Sequence, residues 1–200
     1  MEFIGRIEEL KRLNKIINSK DLATALIFGR RRVGKSELVK YSLKENNEVK
    51  IYYECKEVSE KSNVQGLSDI LSEELNLPRL KFEDIESILK YIFELSINKK
   101  IILVLDEYSY LKKTINGIDS ILQVLIDKYK DKSKLSLIIL GSYVDIMKSM
   151  LLHSNPLYGR IDLTIELKPM DYYDSSLFYP IFSSEDKIKI YSVFGGIPYY

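Results

Sequence analysis

At 200 residues and 46% hydrophobic content, the chain fits one compact domain with enough length to bury a sizeable core. Thirty basic against 29 acidic side chains leave a net charge of +1, so bulk electrostatics give no pull toward a polyanion, a membrane surface or an acidic substrate. Cys55 is the only cysteine and rules out an internal disulfide, the start Met1-Glu2-Phe3 lacks a secretory pattern, and no apolar run approaches the ~20 residues that span a bilayer; a cytoplasmic protein with no membrane partner is expected.

Ile7, Leu10, Leu13 and Ile17 recur at helical spacing and predict a first helix. Residues 23–28, ATALIF, are near-continuously apolar, as in a strand covered on both faces. Directly after them come Gly29, Arg30, Arg31, Arg32, Val33, Gly34, Lys35, Ser36 and Glu37, which read G-x-x-x-x-G-K-S-E and open the helical stretch SELVKYSLK. Strand, glycine loop and helix in this order are the setting in which the motif cradles phosphates. The glycines let the backbone wrap closely around a diphosphate, and the helix turns its positive end toward the same anion. Lys35 then reaches the β and γ phosphates and Ser36 places a hydroxyl on Mg²⁺.

A second strand is predicted at 49–54, followed by two helices marked by Leu67, Ile70, Leu71, Leu75 and by Ile85, Ile88, Leu89, Ile92, Phe93. The third strand, 101–105, runs into Asp106-Glu107. A carboxylate pair in that place suits Asp106 to hold Mg²⁺ and Glu107 to orient and polarise an attacking water. A helix through Ile118, Ile121, Leu122, Leu125 and Ile126 ends in the charged segment 127–134, read as a solvated helix end and turn. The strand at 135–140 leads to Ser142, which either senses a γ-phosphate or caps the helix in YVDIMKSML; both readings stand on sequence. Arg160 precedes the last predicted strand, 163–167, and after Pro169 the pattern turns helical in DYYDSSLFYP and SEDKIKIYSVFGG. Strands alternating with helices imply parallel pairing in a three-layer α/β domain, with ligands beyond the carboxyl ends of the strands.

His153 and Cys55 lack partners at metal-ligand spacing, so no zinc site is expected and they read as a helix-end polar residue and a buried strand residue. The tyrosines, Tyr172, Tyr173, Tyr199 and Tyr200 among them, have no basic patch interleaved and read as core and interface aromatics.

With FIGRIEEL, GRRRVGKSEL, LVLDEYSYL, LIILGSYVDIMKSML, PLYGRIDLTIELKPM and GGIPYY in this order, the chain resembles the archaeal ATPase family of the AAA+-related P-loop ATPases over essentially its whole length. The resemblance implies a three-layer P-loop NTPase fold with sheet order 5-1-4-3-2, an ATPase core over 1–170 and the start of a helical lid over 171–200. It implies ATP and Mg²⁺ as cofactors, and hydrolysis to ADP and phosphate coupled to lid motion. Phe3 and Arg6 fall beside the adenine, Lys35 and Ser36 take the phosphate and magnesium roles, Asp106 and Glu107 the Walker B roles, and Ser142 the first sensor role. Adenine is expected over guanine, since no N-K-x-D segment follows Walker B.

Arg160 falls where related ATPases keep an arginine finger, which implies a homo-oligomer in which it serves a neighbour's γ-phosphate; an ion pair within one subunit is the alternative. Family members usually continue through the lid into a further domain, so the chain is expected to be a fragment whose nucleic-acid or protein partner acts through the missing region. Two other functions remain in view: a slow nucleotide-dependent signalling switch, and a nucleic-acid motor, which the net charge of +1 does not support.

Overall fold

The computed structural model describes residues 3–198; Met1 and Glu2, and the Tyr199 and Tyr200 of GGIPYY, lie outside the described residues. In chain order the elements are α1 (Ile7–Ile17), β1 (Ala23–Phe28), α2 (Lys35–Leu43), β2 (Val49–Glu54), α3 (Glu60–Glu74), α4 (Ile85–Asn98), β3 (Ile101–Asp106), α5 (Ser109–Thr114), α6 (Ile118–Tyr129), β4 (Leu135–Gly141), α7 (Val144–Ser149), β5 (Leu163–Glu166), α8 (Tyr172–Ser176) and α9 (Ser184–Phe194). The strands pair in parallel in the order β2-β3-β4-β1-β5, the expected 5-1-4-3-2 read from the other edge.

The layering follows from the strands' composition. β1, β3 and β4 are buried at every position, so neither face of the central sheet can meet water and both need helical cover. Side chains then divide by the two-residue period. Ile101, Leu103 and Leu105 of β3 join Leu67 and Leu71 of α3, Leu89 and Ile92 of α4 and Leu122 of α6 in one apolar cluster. Ile102 and Val104 join Leu13 and Ile17 of α1 and Leu38 and Val39 of α2 in the other. Local signals bound the covering helices: Ser59 caps α3 by accepting from Ser62 N, and Asp84 and Ser87 form a reciprocal capping box at α4. Among the described residues no helix is long and apolar enough to cross a membrane.

Past β5 the chain folds back on itself. Met170 N donates to Gly196 O at 2.6 Å, Tyr191 OH donates to Met170 O at 3.3 Å, and Tyr172 meets the Tyr191 ring edge-on at 5.7 Å. A Cβ on Gly196 would lie 1.7 Å from Met170 O, so only glycine permits the approach. This closure brings Phe178 and Pro198 beside the glycine loop after β1.

One buried carboxylate ties the turn after β3 to the segment before β5. Asp119, in the first turn of α6, accepts at Oδ1 from Tyr108 OH (2.8 Å) and at Oδ2 from Lys112 Nζ (2.5 Å) and Asn155 Nδ2 (2.8 Å). Asp119→Ala would leave a buried phenol and a mostly buried ammonium without their acceptor, at an expected cost of about 3 kcal/mol in urea unfolding. Lys90→Ala, which removes an exposed pair with Glu94 at 4.0 Å, should change stability by less than about 0.5 kcal/mol; equal effects would discount the buried network.

Candidate nucleotide site at the carboxyl ends of the strands

β1 delivers the chain to Gly29, where a Cβ would lie 2.1 Å from Leu167 O. The approach is fixed by Leu167 N donating to Phe28 O at 2.7 Å. The loop turns through left-handed Arg32 (φ 69°) and Gly34 (φ 93°) and enters α2 at Lys35 with no side-chain cap from Gly34. Gly34 has no side chain to cap that first turn, so its N–H groups remain available to an anion. Lys35 is only 5% exposed. Its Nζ donates to Gly29 O (3.0 Å), Arg30 O (3.1 Å) and Ser142 Oγ (2.8 Å), so protein acceptors take up all three protons. Burial pushes its pKa down, opposed by the charges of Glu107 and Asp106, while Arg31 adds to the lowering.

Asp106 closes β3. Its Oδ2 accepts from Ser36 Oγ (2.7 Å) and Tyr52 OH (2.5 Å), and its Oδ1 from Glu107 N (2.9 Å). Tyr52 reaches across from β2, and burial, followed by the hydrogen bond and charge of Asp106, holds its phenol well above the usual range, so it stays a donor. A serine hydroxyl and a carboxylate are hard oxygen donors, the kind Mg²⁺ prefers, and Mg²⁺ usually completes its shell with waters and substrate phosphates. Among the described residues no group of three or more His, Cys, Asp or Glu could hold a metal; Ser36 and Asp106 could supply two oxygen ligands.

Glu107 occupies the left-handed region at φ 53°, a conformation costing roughly 1–2 kcal/mol for a residue with a Cβ. The turn is held because Tyr108 N donates to Leu140 O at 2.8 Å, carrying the chain from β3 onto the end of β4. It aims the Glu107 carboxylate at Ser142, whose N–H donates to Oε2 at 3.1 Å and whose hydroxyl donates to Oε1. Ser142 thus touches both Lys35 and Glu107. Of its two sequence readings, capping is not what the hydroxyl does, because α7 starts after Tyr143 with no side-chain cap.

Beside the loop opens a cavity of about 520 Å³ lined by Phe3, Arg6, Val33, Gly34 and Glu37, and also by Tyr41, Met170, Phe178 and Pro198. Phe3 and Tyr41 stack at 4.5 Å with an interplanar angle of 15°, giving one wall a flat aromatic face. Arg6 is left-handed at φ 59° and buried. It donates to Lys168 O at 2.5 Å and pairs with Glu9 at 3.3 Å, while its Nε lacks a partner. Arg6 therefore anchors the start of α1 to the segment just after β5, with its Nε buried and unpartnered.

The structure thus brings together the glycine loop, Ser36, Asp106, Glu107, Ser142, Phe3 and Arg6. Arg160 stands apart: its carbonyl accepts from Thr24 Oγ1 at 2.5 Å, at the amino end of β1, so the length of that strand separates it from Gly29. Its guanidinium forms a two-pronged pair with Asp127 (2.7 and 2.8 Å), which depresses the Asp127 carboxyl. Within one chain it takes the ion-pair alternative. Cys55 is buried just past β2, and His153 lies in the turn after α7 against the Tyr158 ring at 3.9 Å. Reading the tyrosines as core and interface residues holds for the buried Tyr53, Tyr108 and Tyr129 but misses Tyr41 and Tyr52, whose roles depend on tertiary neighbours.

Three kinds of relatives bear on the site. The family described as an ATPase domain predominantly from Archaea matches residues 3–200. An uncharacterized protein of Methanocaldococcus jannaschii, MJECL04, is 32% identical over 199 residues, covering 99% of this chain and 43% of its own length. Among solved structures, the Walker-type ATPase PABY2304 of Pyrococcus abyssi superposes with a TM-score of 0.74 at 22% identity, covering 98% of this chain and 65% of that one. The ORC2 protein of Aeropyrum pernix, in ADPNP–ADP complexes, gives 0.66 at 13% identity over 94% and 52% of the respective chains. The ORC1 protein of the same organism, in complex with DNA, gives 0.60 at 12% identity over 94% and 50%. The chain therefore spans less than half of its curated relative and half to two thirds of these solved proteins, and their likeness extends to the fold. With its glycine loop, carboxylate pair and five-stranded parallel sheet in the expected order, the chain belongs to the archaeal ATPase domain family.

Proposed function

We propose that this domain binds ATP with Mg²⁺ and hydrolyses it to ADP and phosphate, and that the exchange moves the helices after Met170. The observation that carries the reading is one hydrogen-bonded cluster, Lys35–Ser142–Glu107 and Ser36–Asp106, assembled from three strand ends beside a cavity large enough for a nucleoside. Core 1–170 and lid from 171 onward describe the two parts of the machine. The base lies against Phe3 and Tyr41, and Pro198 and Phe178 bring the lid to the same cavity.

On binding, phosphate oxygens replace the loop carbonyls as acceptors of the Lys35 ammonium. Ser36 and Asp106 hold Mg²⁺, which when bound neutralises charge on the β and γ phosphates. Tyr52 keeps the Asp106 carboxylate turned toward Ser36. Glu107 orients the water and accepts its proton, while Ser142 reports to Glu107 whether Lys35 has a phosphate to hold.

A slow switch is the second reading, favoured by one observation. Glu107 is tied to Ser142, and Lys35 to loop carbonyls, so both groups must leave protein partners before turnover. Work on a nucleic acid or protein partner, or assembly through Arg160, would need sequence beyond this domain or an opened Arg160–Asp127 pair.

Lys35→Ala should abolish ATP binding by calorimetry while the far-UV spectrum and cooperative melting persist; unchanged affinity would remove the phosphate role of the loop. Glu107→Gln should bind ATP and Mg²⁺ normally and hydrolyse roughly 10²–10⁴-fold more slowly, and near-normal turnover would mean the water is oriented otherwise. In a competition assay GTP should fail to displace ATP at equal concentration.

A further inference from the structure

Arg31 differs from the paired arginines of the chain. Arg6 pairs with Glu9, Arg79 with Asp69 and Arg160 with Asp127, whereas among the described residues no carboxylate pairs with Arg31. Its guanidinium is held by neutral groups. The NH2 donates to Tyr110 OH at 3.0 Å, and Cζ lies 5.7 Å from the centre of the Tyr143 ring. The two rings meet edge-on at 6.0 Å, and Lys113, itself paired with Glu57, covers the Tyr143 face at 4.3 Å.

The holders are placed by the catalytic turns. Tyr110 N donates to Glu107 O at 2.9 Å, and Tyr143 directly follows Ser142. Arg31 therefore leaves the glycine loop toward β3 and β4, on the side where Lys35, Glu107 and Ser142 meet, and its charge is felt at Lys35. A phenol and an aromatic face fix a guanidinium in direction without neutralising it, so the full charge stays available to an incoming anion.

We propose that Arg31 is a catalytic residue acting within its own chain, supplying the positive charge that the γ-phosphoryl group needs during transfer, with Tyr110 and Tyr143 as its positioning residues. The inference rests on the ATP-hydrolysing reading above. In the step concerned, a water oxygen forms a bond to the γ-phosphorus as the bond to the β–γ bridging oxygen breaks. ADP departs with that electron pair, and a water proton passes to the Glu107 carboxylate. Negative charge grows on the bridging oxygen and spreads over the equatorial oxygens, and a guanidinium fork directed there by Tyr110 stabilises that charge more than it stabilises bound ATP. Arg160, at the amino ends of the strands and locked to Asp127, leaves this cis position to Arg31.

The test uses the full-length protein. Arg31→Ala should keep ADP affinity within a few-fold, lower kcat by roughly 10²–10³ with little change in KM, and lose the extra affinity for ADP with aluminium fluoride, a mimic of the transferring phosphoryl group. Arg31→Lys should recover little, since a point charge lacks the fork, and Tyr110→Phe should lower kcat by a smaller factor. Arg79→Ala, in a surface pair far from the loop, should behave as wild type. Mixing Arg31→Ala with Glu107→Gln should restore nothing, because each chain then lacks one group its own site requires. Recovered activity in the mixture, equal loss of ADP and ADP–aluminium fluoride binding, or near-normal kcat would each overturn the assignment. A wild-type protein that fails to bind ADP or ATP would instead overturn the nucleotide reading itself.

Discussion

The hydrogen bond from Ser36 Oγ to Asp106 Oδ2, 2.7 Å long, fastens two strands that do not touch. β4 lies between β1 and β3 in the sheet, and strands sit roughly 4.8 Å apart, so the first turn of α2, which follows the loop after β1, must lean across the end of β4 for Ser36 to reach the aspartate. That crossing creates the site. The space above β4 is where Ser142 stands, and it can touch both Lys35 from one neighbour and Glu107 from the other only because its strand is the middle one. A different strand order would keep every motif and separate their side chains.

The arrangement is also a compromise of charge. Lys35 is buried, which disfavours its ammonium, and the facing carboxylates Asp106 and Glu107 offset that penalty. The same carboxylates would repel a triphosphate if nothing balanced them. Three consecutive arginines stand in the loop, and their placement differs: Arg30 lends its carbonyl to Lys35, Arg32 bends the backbone at φ 69°, and Arg31 is drawn toward Tyr110. Residues that look equivalent in sequence thus carry separate tasks. The strained backbone of Glu107 belongs to the same economy of position, since a carboxylate on an ordinary strand end would not turn back over β4.

The helices after Met170 meet the nucleotide cavity through few residues. Phe178 and Pro198 line it, and the Met170–Gly196 hydrogen bond holds the return of the chain. Large apolar side chains of this segment stay exposed, Tyr173 of α8 at 79%, Ile181 between the two helices at 91% and Val193 of α9 at 74%. Such a thinly packed attachment suits a part that shifts against the sheet more easily than the sheet itself can deform.

Local pattern in the sequence determined a great deal here. Short, near-continuous apolar runs suit strands covered on both faces, and 23–28, 101–105 and 135–140 located the central sheet to within a residue of β1, β3 and β4. The glycine loop and the Asp106-Glu107 pair are legible because their chemistry depends on neighbours in sequence. Tertiary structure alone decided which distant side chains complete them. Tyr52 on Asp106, Tyr41 on Phe3 and Tyr110 on Arg31 join residues 54, 38 and 79 positions apart, and no periodicity encodes such pairings. Arg160 shows the same limit from the other side. On sequence it reads either as a finger for a neighbour's γ-phosphate or as an ion pair within one subunit; the parallel sheet puts the start of β5 at the end of the molecule opposite the glycine loop, where Asp127 is its partner within the chain.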